Sequence, residues 1–198
     1  MPTPAPIHLR DRALVQIVDA AMAESVRRSG EWIACRPGCT PCCLGPFAIS
    51  ALDAIRLRRG LAGLDTVRAS RVRQRALRYV AAIAAAFPGD AATGALHDED
   101  ALPQDWEDEP CPALDPASGL CDLYESRPMA CRIFGPATRL GSGKVGACEL
   151  CYEGAADEDI AAAAVEVDPD GSEQALLAEL NLPPTIVAFA LSLPGETP

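Results

Sequence analysis

Residues 35–43 read CRPGCTPCC, four of the chain's nine cysteines in nine positions with Cys42 and Cys43 adjacent, in a chain that has only two histidines. With 198 residues, 49% of them hydrophobic, the chain can bury a core without crosslinks, so disulfides are not required for folding. Nine cysteines cannot all pair within one chain, and thiols grouped at short spacings in a reducing compartment serve as metal ligands or redox groups more often than as bridges. The expectation is a metal or cluster site, with redox thiols and disulfides as the alternatives.

Working outward, residues 7–29 place Ile7, Leu14, Ile17, Val18, Ala21, Met22 and Val26 on one stripe, which predicts a core-facing helix stopped at Gly30. After the cysteine stretch, Ser50 is placed to cap a short helix ending near Gly60. Residues 64–87 predict an amphipathic helix with Arg68, Arg71, Arg75 and Arg78 on one side and Leu77, Val80, Ala84 and Phe87 on another, broken at Pro88-Gly89. Residues 88–110 are acidic, rich in turn formers and aperiodic, and read as a loop or insertion in which Trp106 packs and His97 is solvated. Further helices are expected after Cys151, after Ser172 and after Pro183-Pro184. The predicted fold is mainly α: a helical domain with an irregular, cysteine-rich metal-binding centre and at most a short β-hairpin. Its segments are an N-terminal helix at 1–30, a cysteine cluster domain at 31–155 carrying the acidic insertion 88–110, and a helical segment at 156–198 packed on the same domain.

The hairpin is expected between Cys111 and Cys121, where Asp115-Pro116 through Gly119 signals a turn. Thiolates are soft, charged donors, and two of them separated by two or three residues can wrap one ion, as Cys35, Cys39 and Cys42 can. Successive side chains diverge, so Cys42 and Cys43 suggest a second centre or a bridged one. Cys111, Cys121, Cys131 and Cys148, with Cys151 as a spare, are candidates to complete the shell. Arg127 before Pro128 should be extended and Pro128 should open a helical turn containing Cys131, closed at Gly135-Pro136. A thiol so placed ionises more easily, and Arg127 and Arg132 can offset polythiolate charge, unless they pair with Glu125 and Asp122. Tyr124 is either a supporting group there or a core residue. All-cysteine sites suit zinc and iron-sulfur clusters alike.

Charge is strongly asymmetric: residues 1–87 carry +7, all of the cations arginine, and residues 88–198 carry −18, for a net −11. Such a balance disfavours nucleic acid unless the Arg-rich helix stands alone on one face, and pairing with the acidic second half is the simpler expectation. The N-terminal stretch shows no export signal and no apolar run spans a bilayer, so a soluble, cytoplasmic protein without membrane contact is expected. No catalytic triad, isolated carboxylate pair or dinucleotide-binding glycine loop can be read.

CRPGCTPCC, the run CDLYESRPMACRIF at 121–134 and the later Cys148 together resemble the YkgJ-type CxxCxxCC family of zinc- or iron-chelating cysteine cluster domains, over about residues 35–155. The resemblance implies Cys35, Cys39, Cys42, Cys43, Cys111, Cys121, Cys131 and Cys148 as ligands and Cys151 as an extra thiol. The first gap holds three residues here instead of the family's usual two. Some relatives resemble flagellin lysine N-methylases, which implies metal-dependent modification of a protein substrate as an alternative function. A third is an interaction module using the Arg-rich helix 64–87.

Overall fold

The computed structural model describes residues 4–139 and 143–193. In chain order the elements are α1 (Ile7–Ser29), β1 (Ala48–Ile49), α2 (Ala51–Gly63), α3 (Thr66–Ile83), β2 (Gly89–Asp90), β3 (Ala95–Leu96), β4 (Leu114–Asp115), β5 (Leu120–Cys121), α4 (Met129–Ile133), β6 (Thr138–Arg139), β7 (Val145–Gly146), α5 (Asp157–Ala163), α6 (Ser172–Leu180), β8 (Thr185–Ile186) and α7 (Val187–Ser192), joined in places by single 3-10 turns. The protein is mainly α, and its described β structure consists of two-residue antiparallel ladders and isolated bridges. No described helix is long and apolar enough to cross a membrane. The ends of the expected terminal segments, residues 1–3 and 194–198, lie outside the described residues, as do residues 140–142 before Cys148.

The chain divides into two compact units that interleave in sequence, Met1–Arg36 with Met129–Leu180 and Pro37–Pro128 with Asn181–Pro198. These limits cut inside the expected 31–155 segment, between Cys35 and Cys39.

In the first unit α1 ends at Gly30, whose φ of +56° suits glycine. Its buried face differs from the apolar stripe read in the sequence. Leu14, Val18 and Met22 are inside, but so are Asp11, Ser25 and Ser29, while Ile17 and Val26 are 47% and 43% exposed. The reason is hydrogen bonding: Ser25 Oγ donates to the Ala137 carbonyl at 2.7 Å and Ser29 Oγ to the Ser25 carbonyl at 2.6 Å, which makes burial of these hydroxyls affordable. Helices α4, α5 and α6 pack on α1. The buried Arg132 of α4 grips Asp19 of α1 through both carboxylate oxygens, at 2.8 and 2.9 Å.

In the second unit Ser50 caps α2 through a capping box with Asp53, as its position suggested. The helix runs on to Gly63, because Gly60 is not a stop but the place where Ser126 packs too close for a side chain. Asp65 caps α3 by accepting from Val67 and Arg68. The buried stripe of α3 is Ala69, Val72, Ala76, Tyr79 and Ile83, and Leu77 is 54% exposed, one step off the face assigned to it. Helix α7 lies against α2 and α3, and its strand β8 pairs with β1. Residues 88–110 are mostly turns, as the composition suggested, and Trp106 packs on the core as expected. They form the β2–β3 hairpin, bury Leu96, and set Leu102 and Trp106 against Tyr79, Ile83, Phe87 and Phe189, since a few apolar anchors suffice to fold an acidic segment onto a core. His97 is exposed as expected.

Candidate metal centre

In the second unit CRPGCTPCC continues, after Cys35 and Arg36, as a turn through Gly38 (φ +88°) and a 3-10 segment Pro41–Cys43. The main chain then joins the second cysteine stretch directly. Cys111 N–H donates to the Cys43 carbonyl at 2.8 Å, and Leu44 forms an antiparallel bridge with Pro110. Cys121 sits on the β4–β5 hairpin opposite Leu114, whose N–H bonds the Cys111 carbonyl. The hairpin tip, Gly119 at φ +69°, approaches Gly38 and Thr40 so closely that an added Cβ would lie 3.7 Å from Gly38 Cα. Cys39, Cys42, Cys43, Cys111 and Cys121 therefore belong to one framework.

Arginines of α3 hold that framework. Arg75 donates from Nε to the Pro112 carbonyl at 2.8 Å and from Nη2 to Asp122 at 2.6 Å, and Arg68 adds a 3.0 Å contact to Asp122. Residues 112 and 122 follow Cys111 and Cys121, so one guanidinium clamps both flanks of the thiol pair. The expected pairing of the Arg-rich helix with the acidic half is thus seen for Arg68 and Arg75, whereas Arg71 and Arg78 are exposed. Asp122 is not the partner of Arg127 or Arg132 considered from sequence.

Electrostatics couple four of the five thiols. The Cys43 thiol donates to the Cys42 sulfur, which, aided by the Arg127 guanidinium, brings Cys42 down to about 6 while Cys43 is pushed well above the ordinary thiol range. The adjacent pair therefore interacts, although alternation along the chain suggested that the two would diverge. Burial pushes Cys111 up to about 11 and raises Cys121, with Arg127 opposing the latter shift. Arg127, in the extended conformation expected before Pro128, lays its guanidinium over the exposed Tyr124 ring, 4.0 Å from its centre. It is a cation of this thiol group, acting on Cys42 and Cys121, with Tyr124 as its platform.

The first unit holds Cys35, Cys131, Cys148 and Cys151. Cys35 Sγ lies 3.9 Å from Cys151 Sγ, beyond the ~2 Å of a disulfide and close to the ~3.8 Å edge of a tetrahedron with 2.3 Å zinc–sulfur bonds. Gly135, at φ +116°, borders the same sulfur: a Cβ there would come within 2.6 Å of Cys35 Sγ. Cys148 N–H bonds the Gly135 carbonyl at 3.0 Å, and Cys151 N–H bonds the Cys148 carbonyl at 2.9 Å. Cys131 lies in α4, four residues before Gly135.

Cys151, read from the sequence as a spare thiol and possible extra ligand, is buried and faces Cys35. One group here went unread in the sequence. Tyr152 follows Cys151 with a φ of +64°, unusual for a non-glycine residue. Its N–H bonds the Trp32 carbonyl at 3.0 Å, and its buried hydroxyl accepts from Ala137 N–H at 2.9 Å and pairs with Ser29. Tyr152 thereby joins the segment bearing Cys148 and Cys151 to the one leading into Cys35. Arg132, by contrast, is committed to Asp19.

Among the described residues no three His, Cys, Asp or Glu side chains form a ready-made metal-binding group. Each unit nonetheless carries one interacting thiol pair, Cys35 with Cys151 and Cys42 with Cys43, and further thiols on hydrogen-bonded neighbouring segments. An all-sulfur donor set of this kind fits zinc or iron.

A model of the CxxCxxCC family, described as "putative zinc- or iron-chelating domain", matches residues 34–151. Comparison with curated proteins and with solved structures returns no match.

Proposed function

The chain belongs to the CxxCxxCC family, and on that premise we propose that it chelates zinc or iron through two thiolate centres, one in each unit. Cys35, Cys131, Cys148 and Cys151 would hold one ion, and Cys42, Cys43, Cys111 and Cys121 the other, with Cys39 as the fifth thiol of that unit. The observation that carries this reading is the 3.9 Å separation of Cys35 and Cys151 sulfurs, since two thiolates at a tetrahedral edge share one ion. A four-iron cluster gives each cysteine its own iron, so a single zinc or iron, or a two-iron cluster, suits the pair better.

The bound ion supplies charge neutralisation and a crosslink between segments distant in sequence. The chain's own residues do the rest. Arg127 offsets thiolate charge at Cys42 and Cys121, Arg75 fixes the flanks of Cys111 and Cys121, and Tyr152 sets Cys148 and Cys151 against the approach to Cys35. The engagement of Arg68 and Arg75 favours this structural role of α3 over an interaction surface. Nine free thiols suit a reducing compartment, and we place the protein in the cytoplasm.

Metal content of Cys151→Ser tests the reading. The variant should lose as much metal as Cys148→Ser, and full retention would remove Cys151 from the ligand set.

A further inference from the structure

Tyr79 of α3 carries a buried hydroxyl with no hydrogen-bond partner among the described residues. The residue is 7% exposed and packs in an apolar cluster with Ile83, Phe87, Leu96, Ile186 and Phe189. Leaving such a hydroxyl unbonded is costly, so its presence on an otherwise hydrophobic helix face calls for a partner. Phenylalanine would fill the same space without that cost.

The hydroxyl-bearing side chain opens on a small cavity of about 10 Å³, bounded by Pro46, Phe47, Cys111, Ile186 and Ala188. That volume is about the room of one water. Among the side chains around the cavity, Tyr79 and Cys111 alone bear polar atoms.

We propose that Tyr79 is the hydrogen-bond donor to the metal-bound sulfur of Cys111, acting through one water seated in the cavity that the two side chains share. A neutral thiol is a weak acceptor, whereas a coordinated thiolate keeps lone pairs that accept strongly. The water would donate one hydrogen to sulfur and accept the phenol hydrogen. Tyr79 would thus be a positioning residue, holding charge density on Cys111 and weakening the exchange of its ion. The inference rests on Cys111 being a ligand.

The test uses full-length protein loaded with cobalt(II), whose thiolate-to-metal charge-transfer bands report each coordinated sulfur, in wild type, Tyr79→Phe and Cys111→Ser. In Tyr79→Phe the cobalt stoichiometry should hold, the charge-transfer envelope should move to lower energy, and affinity in chelator competition should fall about tenfold. Its metal-free form should melt no lower than wild type, because an unbonded hydroxyl has been removed. An unshifted spectrum with unchanged affinity would overturn the proposal while Cys111→Ser still loses charge-transfer intensity. A lower metal-free melt accompanied by an unshifted spectrum would assign Tyr79 to packing alone and likewise overturn it. If Cys111→Ser kept the full intensity, the ligand assignment itself would fail and this inference with it.

Discussion

Gly135→Ala separates metal binding from folding at the Cys35 sulfur. The added methyl would lie 2.6 Å from Cys35 Sγ, so the sulfur must retreat by about 1 Å to reach an ordinary contact near 3.6 Å. Cys35 is exposed and its sulfur is the end of a short rotatable side chain, so it can swing away at little cost in stability. The backbone cannot escape as easily, because φ at Gly135 is +116° and an L-residue there costs about 1–3 kcal/mol. At roughly 2–4 °C per kcal/mol for a chain of this size, the metal-free melt should fall by about 2 to 12 °C. The metal responds differently. A sulfur displaced by about 1 Å cannot remain on a ~2.3 Å bond, and loss of one thiolate should weaken the first-unit centre by at least tenfold, about 1.4 kcal/mol. Chelator competition followed by metal analysis reads the affinity, and a thermal melt of the metal-free chain reads the strain. In a Cys35→Ala background the same substitution should cost only the strain and change metal content no further, a coupling that a double-mutant cycle detects. Gly135→Ala protein that resisted the chelator like wild type would refute the placement of Cys35 at a centre.

In metal-free protein, Cys42 should be the first cysteine alkylated at pH 7. Its pKa is lowered to about 6, so the thiolate dominates above that pH, and the rate should fall by half near pH 6; peptide mapping with Cys43 and Cys111 labelled first would contradict this. Tyr152→Phe removes a buried hydroxyl that serves Ser29 and the Ala137 N–H, and should cost about 1–3 kcal/mol in a denaturant melt. An unaltered midpoint would show that neither bond matters. A strong chelator should lower the melting temperature of the purified protein, because metal binding energy here is part of folding energy; an unchanged melt would mean that the helices stand unaided.

The helices were legible because their signals are local. Ser50, Gly30 and Pro128 act through backbone groups a few residues away, and the elements they bound follow those positions. The buried faces were read less well. On α1 the inward positions include Ser25, which bonds the carbonyl of Ala137, and Ser29, which meets the hydroxyl of Tyr152, both partners more than a hundred residues later, and an apolar stripe cannot register that. In residues 88–110 composition pointed to a loop in which Trp106 packs, and the further anchors Leu96 and Leu102 were not read. The cysteines as a class could be read from spacing, but their division could not. Cys35 and Cys39 are four positions apart yet belong to different units, and Cys151 meets Cys35 across 116 positions. Tyr79 and Tyr152 left no sequence signal, since an aromatic residue on a helix or after a cysteine is ordinary until its hydroxyl is located.

The central claim is two thiolate centres on one chain, and metal stoichiometry tests it most directly. Anaerobically purified protein, analysed for zinc and iron against protein concentration with an ultraviolet-visible spectrum of the same sample, should contain two single-ion equivalents per chain, or two iron pairs absorbing in the visible if the centres are clusters. Cys148→Ser and Cys121→Ser should each remove one centre and spare the other. One centre per chain, or loss of all metal from either variant alone, would contradict the account.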